Sequence, residues 1–380
     1  MGPLAGLRIL ELASIGPGPM CAMLLADLGA DVVRVDRIEP SGLGVGISTA
    51  FDVCARNRRS IAVDLKRAEA RAAVLRLIDR ADVLIEGFRP GVAERLGLGP
   101  DVCLERNPRL VYGRMTGFGQ DGKLAQAAGH DLNYIALTGA LHAIGLRDGA
   151  PLPPLNLIGD YGGGALYLAL GILSALFERN QSGKGQVVDA AMVEGAASLM
   201  SIFYGLVAAG TWQTARGSNL LDGGAPFYSV YETSDGMYVS IAALENKFFA
   251  ELARLIGLET RFVQEQMNRR LWPELREKMT GIFKRRTRAQ WCELLEGTDA
   301  CFAPVLSIKE APGHPHNRQR GVFVELNGFA QPAPAPRFSR SVPDVPQPPP
   351  ETGAQTQAVL EEAGFGGAEI DALRSAGAIA

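Results

Sequence analysis

Within the first 36 residues an apolar strand, a Gly-Pro turn, a helix and a second apolar strand follow one another, and no other feature restricts the fold as much. Leu7 to Leu12 is the strand, Ile15-Gly16-Pro17-Gly18-Pro19 the turn, Met20 to Leu28 the helix and Asp31 to Val35 the second strand. Strands joined through a crossover helix run parallel, so this unit predicts a parallel sheet with helices against it. The alternation continues with a strand at Ser60 to Val63, a helix at Ala68 to Ile78, strands at Ala81 to Ile85 and Leu110 to Met115, and a short helix from Ala93 to Leu96. The expected class is α/β, with a large open parallel-sheet, Rossmann-like domain.

Gly163 to Asn180 is small, apolar and helix-like, and it stops at Ser182-Gly183-Lys184-Gly185. Gln186 to Ala190 reads as one more strand, leading into a long apolar helix, Met192 to Ala209. The texture changes at Asp222-Gly223-Gly224-Ala225-Pro226, after which Tyr228 to Glu232 and Met237 to Ile241 form a hairpin around Ser234-Asp235-Gly236. Amphipathic helices at Lys247 to Ile256, Glu274 to Phe283 and Arg288 to Glu296 complete a smaller α+β domain. Pro332 to Pro350 is proline-rich and extended, with a helix at Gln355 to Ala363 beyond it. The expected division is a large domain over 1–190, linker helices over 191–224, a small domain over 225–312 and a return segment over 313–380 that completes the large domain.

A formal charge of −3, without a long run of one sign, argues against nucleic acid as the main partner. Cations nevertheless crowd the first quarter of the chain: Arg34, Arg37, Arg56, Arg58, Arg59, Lys66, Arg89 and Arg95. That pattern suits one small polyanionic ligand, or else a solvated charged face. The five cysteines are scattered, without C-x-x-C or histidine at ligand spacing, so neither a zinc site nor a disulfide framework is expected. The chain enters a strand without a signal peptide and shows no uninterrupted apolar stretch of bilayer length, so a cytoplasmic protein is expected.

Two segments carry the chemistry. Gly129-His130-Asp131-Leu132-Asn133-Tyr134 presents an imidazole at the mouth of a helix, and Asn156-Leu157-Ile158-Gly159-Asp160-Tyr161-Gly162-Gly163-Gly164 presents a carboxylate among glycines. One imidazole and one carboxylate are what two-base proton transfer at carbon requires, with no metal or redox cofactor. Asp160 has a plainer reading as a helix N-cap. Gly16-Pro17-Gly18-Pro19-Met20-Cys21, with Asp36 ending the next strand, imitates a dinucleotide fingerprint. Cys21 stands where the third glycine belongs and two prolines remove amide donors, so a strand-to-helix turn is favoured over an NAD(P)-dependent oxidoreductase.

With these residues laid out, the chain resembles the α-methylacyl-CoA racemases, within the superfamily shared with the class III CoA-transferases. The resemblance rests on Glu11-Leu12-Ala13 through Pro19, Asp27-Leu28-Gly29-Ala30-Asp31-Val32-Val33-Arg34, Arg56-Asn57-Arg58-Arg59 and Ala81 to Gly91. Met115-Thr116-Gly117-Phe118-Gly119-Gln120, Gly183 to Ala190 and Pro334-Ala335-Pro336-Arg337-Phe338-Ser339 extend it along the chain. It implies interconversion of (2R)- and (2S)-2-methylacyl-CoA thioesters through an enolate, without a cofactor, CoA being part of the substrate. His130 and Asp160 would be the two bases, Glu245 would orient and charge the imidazole, and the Asp131 amide would face the enolate oxygen. The Asp131 side chain either caps its own helix or takes part directly; in a class III CoA-transferase, the alternative, it would form an acyl anhydride. The transferase glycine loop is matched only by Asp222 to Pro226, shorter and without a glutamine, which favours the racemase.

The resemblance further places CoA near Arg37, Val63, Asp64, Leu65, Lys66, Gly87, Phe88, Arg89, Pro90, Gly91 and Arg95, with Gly129, Leu132, Asn133 and Tyr134 meeting the thioester. Arg56, Arg58 and Arg59 either touch phosphate or shape a loop. An interlocked homodimer is also implied, its site shared between subunits so that Glu245 comes from the partner chain.

Overall fold

The computed structural model describes residues 1–39, 42, 44 and 46–380, which form two compact units. The larger unit comprises Met1–Thr138, Leu155–Met200 and Arg320–Ala380. Its sheet has six parallel strands: β1 (Arg8–Leu12), β2 (Asp31–Asp36), β3 (Arg58–Ala62), β4 (Val83–Glu86), β5 (Val111–Thr116) and β6 (Val187–Ala191). They lie in the order β3-β2-β1-β4-β5-β6. The order reverses between β1 and β4, and open α/β sheets bind ligands in the crevice at that point, outside the carboxyl ends of the strands.

The strands are apolar on both faces because both faces are covered. On one face Ile9, Val32, Val83, Ile85, Val111 and Met115 meet Leu25 of the helix Pro17–Asp27 and Leu168 and Ile172 of the helix Leu166–Ser182. On the other, Leu10, Val33, Val35, Leu84 and Tyr112 meet Val74 and Ile78 of the helix Ala68–Ile78. Val359 and Leu360 of Thr356–Glu362 and Ile370 of Gly367–Ser375 close that second face, so the return segment completes this unit.

Two helices differ from the sequence expectation. The helix expected from Gly163 begins earlier: Leu157–Ala165, which contains Asp160, is a π-helical stretch that runs straight into Leu166–Ser182. The joined 26-residue helix is long and apolar enough, by length and composition, to cross a membrane, contrary to the expectation that no stretch would be. Its Leu168, Ile172, Ala175 and Leu176 are packed in the core, as in a helix laid on a sheet. The long helix expected from Met192 to Ala209 is broken at Met200 into Met192–Leu199 and Ser201–Ala208. Met200, at φ −84° and ψ 2°, has left helical geometry, and the boundary between the units falls just after it.

The smaller unit comprises Gly139–Pro154 and Ser201–Gln319. Its antiparallel sheet has β7 (Tyr228–Glu232), β8 (Tyr238–Ala242) and β9 (Phe302–Pro304), with Phe227, Tyr231, Phe249, Trp272, Phe283 and Trp291 in the core beneath. Residues 139–154, which the sequence reading assigns to the large domain, belong here. Arg216 donates to the carbonyls of His142 (3.0 Å) and Gly149 (2.6 Å), and Arg147 donates to Gly217 O. In the return segment, β10 (Phe323–Leu326) and β11 (Phe329–Pro332) form an antiparallel hairpin.

Candidate active site

The site is built at the reversal of strand order. The turn after β1 carries Gly16 at φ +71°, and a Cβ there would stand 3.2 Å from Oδ2 of Asp160. The fingerprint-like glycine therefore lets the strand-to-helix turn approach a carboxylate, which is the last group a pyrophosphate site would tolerate. Asp160 is half-buried, and Asn156, one helical turn earlier, donates from Nδ2 to its Oδ2 at 3.2 Å. Burial pushes the Asp160 carboxyl above its ordinary value and the Asp131 charge adds to this, while Asn156 and the positive form of His130 oppose it. The imidazole and the carboxyl thus lie within electrostatic reach of each other.

His130 is exposed and sits at the N-cap of the helix Asp131–Ala136, its backbone N–H donating to Asn133 Oδ1 at 3.1 Å. Asn133, expected to meet the thioester, is used in this cap. Asp131 neither caps its own helix nor lies open. It is 5% exposed, and its Oδ2 accepts the backbone N–H of Asp160 at 2.7 Å. A carboxylate from one helix start therefore takes up a first-turn amide of the other, coupling the His130 and Asp160 segments through one hydrogen bond. Gly159 permits it, since a Cβ there would meet the Asp131 carboxylate at 2.8 Å. Asp160 is the fourth residue of its helix rather than an N-cap.

Tyr134 is a buried buttress. Its hydroxyl donates to the carbonyl of Gly129, its ring fills the space where Gly117 and Gly129 lack side chains, and Phe118 packs edge-on at 4.9 Å. Burial, with the nearby Asp160 charge, pushes its phenol up to about 12, while the Arg89 charge acts in the opposite direction. Arg89, on the loop after β4, therefore belongs to the same electrostatic neighbourhood. Leu132 is 41% exposed beside this cluster.

The cations crowded in the sequence separate into two sets. Arg56 pairs with buried Asp27 and donates to Pro332 O at 2.7 Å, and Arg58 forms a fully buried pair with Glu11 at 2.7 Å. Arg58 also donates to the carbonyls of Cys54 and Pro19, and Arg59 binds Asp31 and Glu362. All three are engaged with carboxylates of the fold. Arg37, Lys66, Arg89 and Arg95 are exposed at or just beyond the carboxyl ends of β2, β3 and β4. Between them, Val63 is buried and bridged to Ile379, Asp64 receives the Lys66 amide and donates its own N–H to Ala378 O, and Leu65 packs on the core. Gly87, Phe88, Pro90 and Gly91 form the turn after β4, where Gly91 is left-handed at φ +81°.

Glu245 lies in the smaller unit, exposed at the N-cap of the helix Asn246–Ile256, and lines an open hollow of about 470 Å³ with Leu244, Asn246 and Gln266. Burial raises the pKa of the Cys301 thiol, and the Glu245 charge adds to the rise, so these two are neighbours. Sequence reasoning gave no role to Asn156 or Cys301 and read Gly16 only as part of a strand-to-helix turn. Only the four-residue spacing between Asn156 and Asp160 was there to be seen; Cys301, a non-glycine at φ +49°, carries no signal in sequence.

A family model described as CoA-transferase family III matches residues 4–356. The chain is 47% identical over 375 residues to the alpha-methylacyl-CoA racemase of Mus musculus, covering 98% of this chain and 96% of that protein. It is 44% identical over 377 residues to the alpha-methylacyl-CoA racemase of Homo sapiens, again covering 98% and 96%. Among solved structures, Rv3272 from M. tuberculosis superposes with a TM-score of 0.77 at 28% identity, covering 93% of this chain and 98% of that one.

Proposed function

Because the chain belongs to CoA-transferase family III, matched over residues 4–356 and resembling racemases along nearly its whole length, we propose that it is an isomerase interconverting (2R)- and (2S)-2-methylacyl-CoA thioesters. The observation that carries this reading is the pairing of His130 with an Asp160 whose carboxyl is pushed up by burial, both beside the β1–β4 crevice. A thioester carbonyl acidifies the hydrogen on C2. One base removes it from one face while the conjugate acid of the other returns a proton to the opposite face, inverting the centre. The raised Asp160 pKa brings a carboxyl toward the range of an imidazole, which equalises the two directions.

His130 serves one face and Asp160 the other. Asn156 and Asp131 hold Asp160 in place. The enolate oxygen meets the backbone N–H of Asp131, which as the first residue of its helix has no intrahelical acceptor. Such a donor contributes roughly 3–4 kcal/mol to the barrier reduction. Arg37, Lys66, Arg89 and Arg95 receive the phosphates of CoA. The chain's own side chains supply all the proton transfers, with no cofactor.

We further propose a homodimer whose chains interlock, each site taking Glu245 from the partner subunit to orient and charge His130. Exposed apolar surface supports an assembly: Leu166, Leu170 and Phe177 form one stripe of the helix Leu166–Ser182, and no residue of the helix Ser201–Ala208 is buried.

The transferase alternative is disfavoured. Its nucleophile would be Asp131, whose carboxylate is buried and already accepts the Asp160 amide. Its mobile glycine loop would be Asp222 to Pro226, yet Asp222 accepts four hydrogen bonds there, from the Ser218, Asn219 and Gly224 amides and Asn219 Nδ2.

The test is epimerisation in D2O. A single epimer of a 2-methylacyl-CoA is expected to gain deuterium at C2 as it racemises. Complete racemisation with C2 unlabelled, or CoA transfer to an added carboxylic acid with no exchange, would sink the proposal.

A further inference from the structure

The turn after β4 and the one-turn helix Val92–Arg95 together present Arg89 and Arg95, two of the four exposed cations beside the crevice. What holds this segment is a charge cluster that the epimerisation chemistry leaves unused. Glu86, the last residue of β4, is fully buried and stands opposite Arg114 of β5 in the parallel register. Arg114 Nε donates to Glu86 Oε1 at 2.8 Å, and its Nη1 lies 2.8 Å from Oε1 of Glu94, inside the helix that carries Arg95. The other Glu86 oxygen, Oε2, accepts the backbone N–H of Phe88 at 2.7 Å. One guanidinium therefore ties the strand end before the turn to the helix after it, and the turn between is pinned through its own amide.

The far side of the turn is equally constrained. Gln126 Nε2 donates to Pro90 O at 3.1 Å. Arg95 folds back so that its Nη1 stands 3.2 Å from where a Cβ on Gly91 would be. An apolar pair would avoid the desolvation that Glu86 and Arg114 carry, so stability alone does not account for burying them. Their geometry does something an apolar pair cannot: it binds a backbone amide and a neighbouring helix at fixed positions. It also offsets part of the negative charge of two carboxylates beside a turn that faces an anionic ligand.

We propose that Arg114 is a positioning residue for CoA recognition, holding the Gly87–Gly91 turn and Arg95, through Glu86 and Glu94, in the arrangement that receives the phosphate-bearing nucleotide half of the ligand. This rests on the reading of the chain as a CoA-thioester enzyme. Pantetheine, which carries the thioester sulfur but no nucleotide, is the discriminating comparison. A group that merely stabilises the fold affects both substrates, whereas a nucleotide-positioning group affects one.

The experiment uses the full chain with Arg114→Met, Arg114→Lys and Glu94→Gln. It measures calorimetric affinity for free CoA and steady-state epimerisation of one acyl group as its CoA and its pantetheine thioester. In Arg114→Met, CoA affinity is expected to fall about tenfold, KM for the CoA thioester to rise by the same factor with kcat within twofold, and kcat/KM for the pantetheine thioester to hold within twofold. Arg114→Lys restores part of the loss. Equal losses on both thioesters, or unchanged CoA affinity, overturn the proposal. Should Arg114→Met not fold, Glu94→Gln, at a half-exposed residue, makes the same comparison with an expected threefold loss of CoA affinity, and no loss overturns the proposal. The parent reading fails separately: wild-type protein that binds CoA tightly but never exchanges C2 hydrogen defeats the epimerase, while the CoA affinities still decide the role of Arg114.

Discussion

At the scale of single residues, Asp160 sets the protein's activity against its stability. Its carboxyl is held above the ordinary value, chiefly by burial. A carboxyl raised on folding makes its full contribution to stability below the unfolded value and loses it as pH rises through the folded one. As pH rises past the unfolded value, the raised Asp160 carboxyl therefore becomes a burden on the native state. Asp160→Asn is expected to raise the unfolding temperature at pH 7, with a gain that shrinks toward pH 4, as calorimetry at the two pH values would show. The same variant is expected to lose about 10²–10⁴-fold in C2 exchange, the range for removal of a general acid–base group. An unchanged unfolding temperature at pH 7 would mean that burial does not strain this carboxyl. His130 and Asp160 stand out in sequence because each lies beside glycines near a helix start. The bond that joins their two segments does not. Asp131 reaches the Asp160 amide across 29 positions of chain, and nothing local in either segment announces it.

At the scale of elements, the sheet was legible because strands covered on both faces are nearly continuous apolar runs, and helices with one buried stripe repeat at 3.6 residues. The π-helical start of the Asp160 helix was not legible. Gly162-Gly163-Gly164 disfavours a helix by propensity, but here Gly163 serves close packing. A Cβ on Gly163 would come within 2.5 Å of the Ala196 backbone nitrogen, and one on Gly195 within 1.9 Å of the Gly163 carbonyl oxygen. Tertiary contact thus overrides local preference where two helices cross backbone to backbone. The break at Met200 was missed for the converse reason, since Met192 to Ala209 has no proline and only isolated glycines to mark an end. A pair of substitutions separates packing glycines from site glycines. Gly195→Ala is expected to cost about 1–3 kcal/mol of stability, the usual range for overpacking, read from urea unfolding. Gly16→Ala presses a methyl toward Asp160 Oδ2 from a backbone at positive φ, so it is expected to lower kcat/KM at least tenfold at a stability cost of about 1–3 kcal/mol. Equal loss of activity per unit of stability in both would erase the distinction.

At the scale of the whole molecule, no periodicity or spacing spoke to assembly; the expectation of an interlocked dimer came from family resemblance alone. The structure adds a physical reason to expect a partner, because Phe177 and Leu170 are 69% and 61% exposed on the face of their helix opposite buried Leu168, Ile172 and Leu176. Monomeric proteins seldom leave such a stripe uncovered. Sharing of the site between subunits has a consequence that can be counted. Take one chain with His130→Ala and another with Glu245→Ala, each inactive or strongly impaired as a homodimer. If each site joins His130 of one chain to Glu245 of the other, the mixed dimer has one site with both defects and one with neither. Purified heterodimer, tagged differently on the two chains, should then show close to half the wild-type C2 exchange per dimer. If instead each chain completes its own site, every site in the mixed dimer carries one defect and no activity returns. Recovery is thus a test of connectivity rather than of either residue's importance. A heterodimer as weak as its parents would place Glu245 with the His130 of its own chain.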